Sequence, residues 1–450
     1  MLLILLNLPK NSPVRIELKN RDISLLTGIS TATRVESGGG NAGNITINTG
    51  SLKLVDGGGI RANTLSKGDG GNITIEASNV ELSGINPISK RLNSNIRTST
   101  SGIGKGGNIT INSNSLNLTD NSRLDASTIR DGRGGNITVN SEFLNLIDNS
   151  LIIANTFDGN GRGGDITINS SSAILNENSF IAANTYNDGN GGEIKINTAN
   201  LIINENSQIA AAAFNDKATG NAGNLRINSD FIDLKNGGVS ATTVSGEGGN
   251  IFLESDRLIL ENSQITAFAE GLGDGGNITI DADGLIGINS DITATAIRGD
   301  GGNIAINAAG LLGLDNDSLD IDASSQFGQD GTIEIINPQI NNRDPVIEFT
   351  ALEISTNNNI LENRCGDGLS EKTLVYTGRT GFDERTQNQS NEETYFPAPG
   401  FVPPETESKP WQEGDPIVHS NAVRTDENGD VYFVAELPQK TTHNSFCITD

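Results

Sequence analysis

In Ile109-Thr110-Ile111-Asn112 every second residue is apolar. The alternation returns at Leu116-Asn117-Leu118 and again at Leu124-Asp125-Ala126-Ser127-Thr128. A period of two marks a strand with one buried face, so three short strands are predicted. Ile109, Ile111, Leu116, Leu118, Leu124 and Ala126 point inward in this reading, and Thr110, Asn117 and Asp125 outward. Ile137/Val139 with Leu144/Leu146, Ile194/Ile196 with Leu201/Ile203, and Ile278/Ile280 with Leu285/Ile288 repeat the first two strands. Their third strands read Ile152-Ala154-Thr156, Ile209-Ala211-Ala213 and Ile265-Ala267-Ala269, whose small inward residues imply a close opposite wall.

The opening phrase, Asn-Ile-Thr-Ile-Asn or a close variant, occurs eleven times. It starts at Asn44, Asn72, Asn108, Asn136, Asp165, Glu193, Asn224, Asn250, Asn277, Asn303 and Thr332. A fixed period of this kind is the mark of a solenoid, because one such unit cannot bury its apolar face alone. Stacking the units gives each strand two parallel neighbours about 4.8 Å away. The predicted fold is all-β: a right-handed parallel β-helix of about eleven coils and three sheets, its hand following the crossover rule.

Between strands lie two kinds of corner. Gly-rich corners such as Asp131–Gly135 and Asp158–Gly164 are expected to supply positive-φ positions. Asp148-Asn149-Ser150, Glu177-Asn178-Ser179 and Glu261-Asn262-Ser263 are expected to turn by capping their own backbone. Asn44, Asn72, Asn108 and Asn136 stack in this reading and can form an amide-to-amide ladder, interrupted at Asp165, Glu193 and Thr332. One coil carries an extra stretch between Ser83 and Ile96, with Pro87, Lys90 and Arg91, read as a surface loop.

Three regions follow. Residues 1–43 read as a partial first coil without an evident cap, with Ile16-Glu17-Leu18 and Ile29–Thr33 as its strands. Residues 44–340 are the β-helix repeats. Residues 341–450 form an acidic, Pro-containing region with 19 acidic and 8 basic residues. In it, 388–413 reads as an extended linker, and Pro416-Ile417-Val418 and Val431–Val434 flank a hairpin turn at Asp426–Gly429. The apolar run Leu2–Leu8 has no positive n-region and no small-residue cleavage site. It is too short to span a bilayer, and no transmembrane segment is predicted.

Of the 12 prolines only Pro87 falls between Asn44 and Thr332, as a continuously paired sheet requires. A net charge of -26 argues against nucleic acid or an anionic membrane as partner. The two cysteines, Cys365 and Cys447, both lie beyond the repeats, a usage that fits an extracytoplasmic chain with one disulfide or two free thiols.

The repeat resembles that of the large haemagglutinin-like exoproteins of cyanobacteria, relatives of the filamentous haemagglutinins exported by two-partner secretion. So does the tail: Cys365, Leu374–Arg379, Trp411, Ile417-Val418-His419, Asp430-Val431-Tyr432 and Cys447. The resemblance implies a right-handed parallel β-helix held at or released from the cell surface, with an outer-membrane secretion partner. It implies a non-catalytic structural or adhesive role, with polysaccharide or other cell-surface components as partners. The amino-terminal secretion domain of that family is not seen; the nearest strings to its motifs are Asn86-Pro87-Ile88 and Asn337-Pro338-Gln339. The chain is therefore expected to be the carboxy-terminal part of a longer or split gene.

Pectin-lyase-like β-helices can be enzymes, so a polysaccharide-cleaving or polysaccharide-binding protein is the alternative. Cleavage needs paired carboxylates, or a basic residue beside a bound calcium, on one wall. Asp320 and Asp322 share a face but read more simply as solvating charges flanking an inward Ile321. A calcium-binding repeat is a further alternative, with Asp158-Gly159-Asn160, Asn187–Asn190 and Asp300-Gly301 as oxygen-rich turns. His419 and His443 have no nearby Cys or His to complete a zinc set. No catalytic, cofactor or metal residue is assigned.

Overall fold

The structure, a computed structural model, describes residues 28–33, 40–65, 67–214, 220–313 and 319–336. It also gives the backbone strands Ile4–Asn7, Arg15–Lys19, Ala422–Thr425 and Val431–Val434. The chain divides into two compact units, 1–346 and 347–450.

The first unit is a parallel β-helix. Each repeat phrase opens one strand of a single sheet, from Ile45–Val55 through Ile109–Thr119 and Ile278–Ile288 to Ile333–Ile336, in sequence order and parallel throughout. A second parallel sheet of eleven short strands runs from Gly28–Ser30 to Leu319–Asp322. Register is phase-locked: Ile109, Ile137, Ile166 and Ile194 stand over one another.

Two sheets, not three, enclose the core. The first two predicted strands join into one, because inter-coil pairing persists through the bend between them. Asn112, Ser113 and Ser115 pair with Asn140, Ser141 and Phe143, and only Asn114 and Glu142 drop out. After each short strand the third wall continues as a column of single bridges through Thr64, Thr100, Thr128, Thr156, Thr185 and Ala213.

Alternation places Ile109, Ile111, Leu116, Leu118, Leu124 and Ala126 wholly inside, and the equivalent residues of most other coils with them, whereas Ile333 and Ile335 of the last coil are exposed. One assignment is corrected by register. Ile288 is 47% exposed, since its coil follows the phase of Leu285 and puts Gly287 inward; Leu319 of the next coil fills the space a side chain would take there. Asp125 keeps its outward phase between Leu124 and Ala126, in register with Arg97, but is covered there: it lies 3.1 Å from Arg97 Nε and accepts the Ser127 backbone N–H at 3.0 Å. That charge is tolerated because it is paired.

The corners exchange their expected roles. Among the described residues only Gly57, Gly84 and Gly313 are glycines with positive φ. The left-handed positions lie in the acidic corners instead, at Asp148 and Asn149 (φ 54° and 57°) and at Glu177 and Asn178 (φ 54° and 58°). The Gly-rich corner needs glycine for closeness: a Cβ on Gly135 would lie far inside contact with the Gly107 carbonyl oxygen. The serines of the acidic corner also reach between coils. Ser150 Oγ donates to the Ile147 carbonyl at 2.8 Å, and its N–H donates to Ser179 Oγ at 3.2 Å.

The inserted stretch is a closed loop. Asn86 Oδ1 accepts the N–H groups of Ile88 and Ser89 at 3.0 and 2.8 Å, while Ile88 is exposed. Ahead of the first phrase, Ile4–Asn7, Arg15–Lys19 and Gly28–Ser30 pair parallel with Ile45–Asn48, Ser51–Val55 and Gly59–Arg61. The apolar run Leu2–Leu8 thus contributes a strand to the sheet. In the second unit, Val431–Val434 pairs antiparallel with Ala422–Thr425, rather than with 416–418, which lies outside the described residues.

Candidate functional site

Along the Gly-rich corner a groove of about 820 Å³ opens between two columns of side chains. One column is Asn44, Asn72, Asn108 and Asn136. These asparagines do not bond amide to amide. Each Oδ1 accepts the backbone N–H of the next coil's residue: Asn72 at 2.8 Å, Asn108 at 2.9 Å, Asn136 at 2.9 Å. Asp165 continues the ladder instead of interrupting it, donating its N–H to Asn136 and accepting that of Glu193, both at 3.0 Å, since a carboxylate accepts as an amide carbonyl does. The Thr332 N–H likewise donates to Asn303 Oδ1 at 3.0 Å. Amide-to-amide bonding occurs further along the same column, in Asn250, Asn277 and Asn303 at 3.1–3.2 Å, and within the strands, in Asn112, Asn140, Asn169 and Asn197 at 2.7–2.8 Å.

The second column supplies charge. Within the groove it holds Asn41, Asp69, Lys105, which is exposed, and Arg133; Arg162 follows in the next coil, beyond the groove's lining. Both guanidinium groups pair with the one carboxylate of Asp165, Arg162 at 2.7 Å. Two cations on one anion leave this stretch net positive. Exposed pairs of this kind contribute about 0–1 kcal/mol each, so the groove's field matters more than its stability contribution.

Two further clusters were not legible in a single repeat. Phe157, Tyr186 and Phe214 stack from coil to coil, with ring centroids 5.2 and 5.5 Å apart, at 37–40% exposure. The faces between neighbouring rings are taken up within the stack. On the outer face of the short-strand wall, Arg61 stands beside Arg97. Burial, and then the neighbouring Arg97 charge, lower the Arg61 pKa to about 10. Aligning the coils in columns is the signal that would have found both.

The sequence candidates are dispersed. Asp158–Asn160 and Asn187–Asn190 lie in adjacent coils, with Asn187 Nδ2 donating to the Asp158 carbonyl at 3.4 Å, while Asp300 lies several coils away. Asn190 Oδ1 accepts the Asn221 N–H at 2.9 Å, and Asp300 Oδ1 accepts that of Gln329 at 2.8 Å. Asp320 is exposed and Asp322 half-buried, flanking an Ile321 packed against the core. Asp322 Oδ1 accepts the Ser324 N–H at 2.8 Å. Among the described residues no three His, Cys, Asp or Glu gather as a metal set, and no helix is long and apolar enough to cross a membrane. Cys365, Cys447, His419, His443 and the 388–413 stretch lie outside the described residues.

Comparison with protein-family models, curated proteins and solved structures found no match.

Proposed function

We propose that the chain is a non-catalytic structural and adhesive rod acting at the cell surface or outside the cell. One observation carries this reading: the outward polar side chains are spent on the next coil. Asn72, Asn108, Asn136 and Asp165 each close a backbone donor of a neighbour instead of converging on a point where a substrate could react. The repeat's likeness to haemagglutinin-like exoproteins supports the surface location and a secretion partner. A second reading, binding of an acidic polysaccharide, is favoured by the groove lined by Lys105 and Arg133, whose two cations outnumber the one carboxylate there, Asp69.

The test is incubation of the purified chain with neutral and acidic polysaccharides, with and without calcium. The expected result is no release of reducing ends or unsaturated products, with salt-sensitive retention of acidic chains if the groove binds them. Reproducible turnover would overturn the non-catalytic reading.

A further inference from the structure

Each coil places one residue two positions before the glycine that precedes the repeat phrase, and backbone bonds align these residues in a single column. In chain order it reads Asn41, Asp69, Lys105, Arg133, Arg162, Asn190, Asn221, Glu247, Asp274, Asp300, Gln329. Reversed end to end, the central stretch from Lys105 to Asp300 is its own complement: Lys105 meets Asp300, Arg133 meets Asp274, Arg162 meets Glu247, and Asn190 meets Asn221. Asp69 then faces the neutral Gln329. We propose that this edge is an interaction surface for a second copy of the chain, docked antiparallel about a two-fold axis between Asn190 and Asn221.

The geometry favours this partner. Both copies carry the same coil spacing of about 4.8 Å, so one pair in register brings all of them into register. The two-fold doubles every pair, as an isologous contact requires. Lys105, Glu247, Asp274 and Asp300 are exposed. Asp274 and Asp300 each use Oδ1 for the next coil's N–H, at 2.8 Å, leaving the second oxygen for a partner. Asp131, Asp158 and Arg298 in the same loops weaken the contrast without reversing it. The loops 101–107, 129–135 and 157–164 sum to +2, whereas 244–249, 270–276 and 297–302 sum to -3. The whole array is polarised alike: residues 44–200 hold 14 acidic and 12 basic residues, residues 201–336 hold 20 and 5. At the centre, Phe157, Tyr186 and Phe214 add exposed apolar edges in the coils of Arg162, Asn190 and Asn221. The net charge of -26 opposes any association that lacks such local pairing.

Zero-length carbodiimide cross-linking of the full chain, read by mass spectrometry, tests the contact. Lys105 and Asp300 stand seven coils apart on one rod, about 34 Å, so a direct bond between them can only join two copies. That linkage is expected at low ionic strength. Sedimentation should show a dimer whose Kd rises at least about tenfold near 1 M salt, where the screening length falls to about 3 Å. Lys105→Glu/Arg133→Glu/Arg162→Glu and Glu247→Lys/Asp274→Lys/Asp300→Lys should each be monomeric alone and associate when mixed. A wild-type chain monomeric at low salt, or a dimer lacking the Lys105–Asp300 linkage, overturns the proposal whether or not the variants fold.

Discussion

The two corners of each coil solve one problem by opposite means. At the acidic corner the chain turns through left-handed residues that are not glycine, such as Asp148-Asn149 and Glu177-Asn178. At the glycine corner φ stays ordinary, and glycine is required because the next coil's backbone leaves no room for a side chain. A short polar side chain that bonds locally tolerates the left-handed region, whereas nothing but hydrogen tolerates a carbonyl oxygen at that range. One corner is set by local conformation and the other by stacking.

The core beneath both corners sets the scale for breaking this comparison. Ile278 is fully buried between Ile251 and Ile304. Ile278→Asp is expected to cost several kcal/mol by burying an unpaired charge, read as a large loss in denaturant midpoint. Unchanged unfolding would refute the inward assignment. Crowding at the glycine corner is next in size. Gly135→Ala is expected to cost about 2–3 kcal/mol because the opposing atom is backbone and cannot rotate away. Gly40→Ala, with nothing within 4 Å of the added carbon, is its control and should leave stability nearly unchanged. Equal effects at the two glycines would show that conformation, not closeness, selects them.

The smallest effect sharpens the other corner. Glu177 holds φ 54° with a side chain poorly suited to that region. Glu177→Gly should therefore raise stability by roughly 0.5–1 kcal/mol, provided the corner keeps its shape. A loss of stability measured by the same denaturant titration would mean that the Glu side chain holds the turn, and the conformational account of this corner would fail.

Several elements were legible in the sequence because their cause is local. Alternation over three or four residues identifies Ile109, Ile111, Leu116 and Leu118 as inward, and they are. The repeat identifies the parallel stack, because units that bury nothing alone must pair in phase. Ile288 escaped this logic because alternation from Leu285 reaches Gly287, and only the neighbouring coils fix which phase is inside. The groove was not legible at all: Lys105 and Arg133 are each one polar turn residue among many until their coils are superposed.

By itself, then, the sequence determined the period, the buried faces and the parallel pairing, since each follows from residues one or two positions apart or from simple recurrence. Tertiary structure alone decided that Asp125 is buried against Arg97, that Asn108 spends its amide on a backbone donor, and that the residues from Lys105 to Asp300 line up as one polarised stretch of a column. Those outcomes depend on which atoms, about 26–31 residues apart along the chain, come to lie one coil, about 4.8 Å, apart in space.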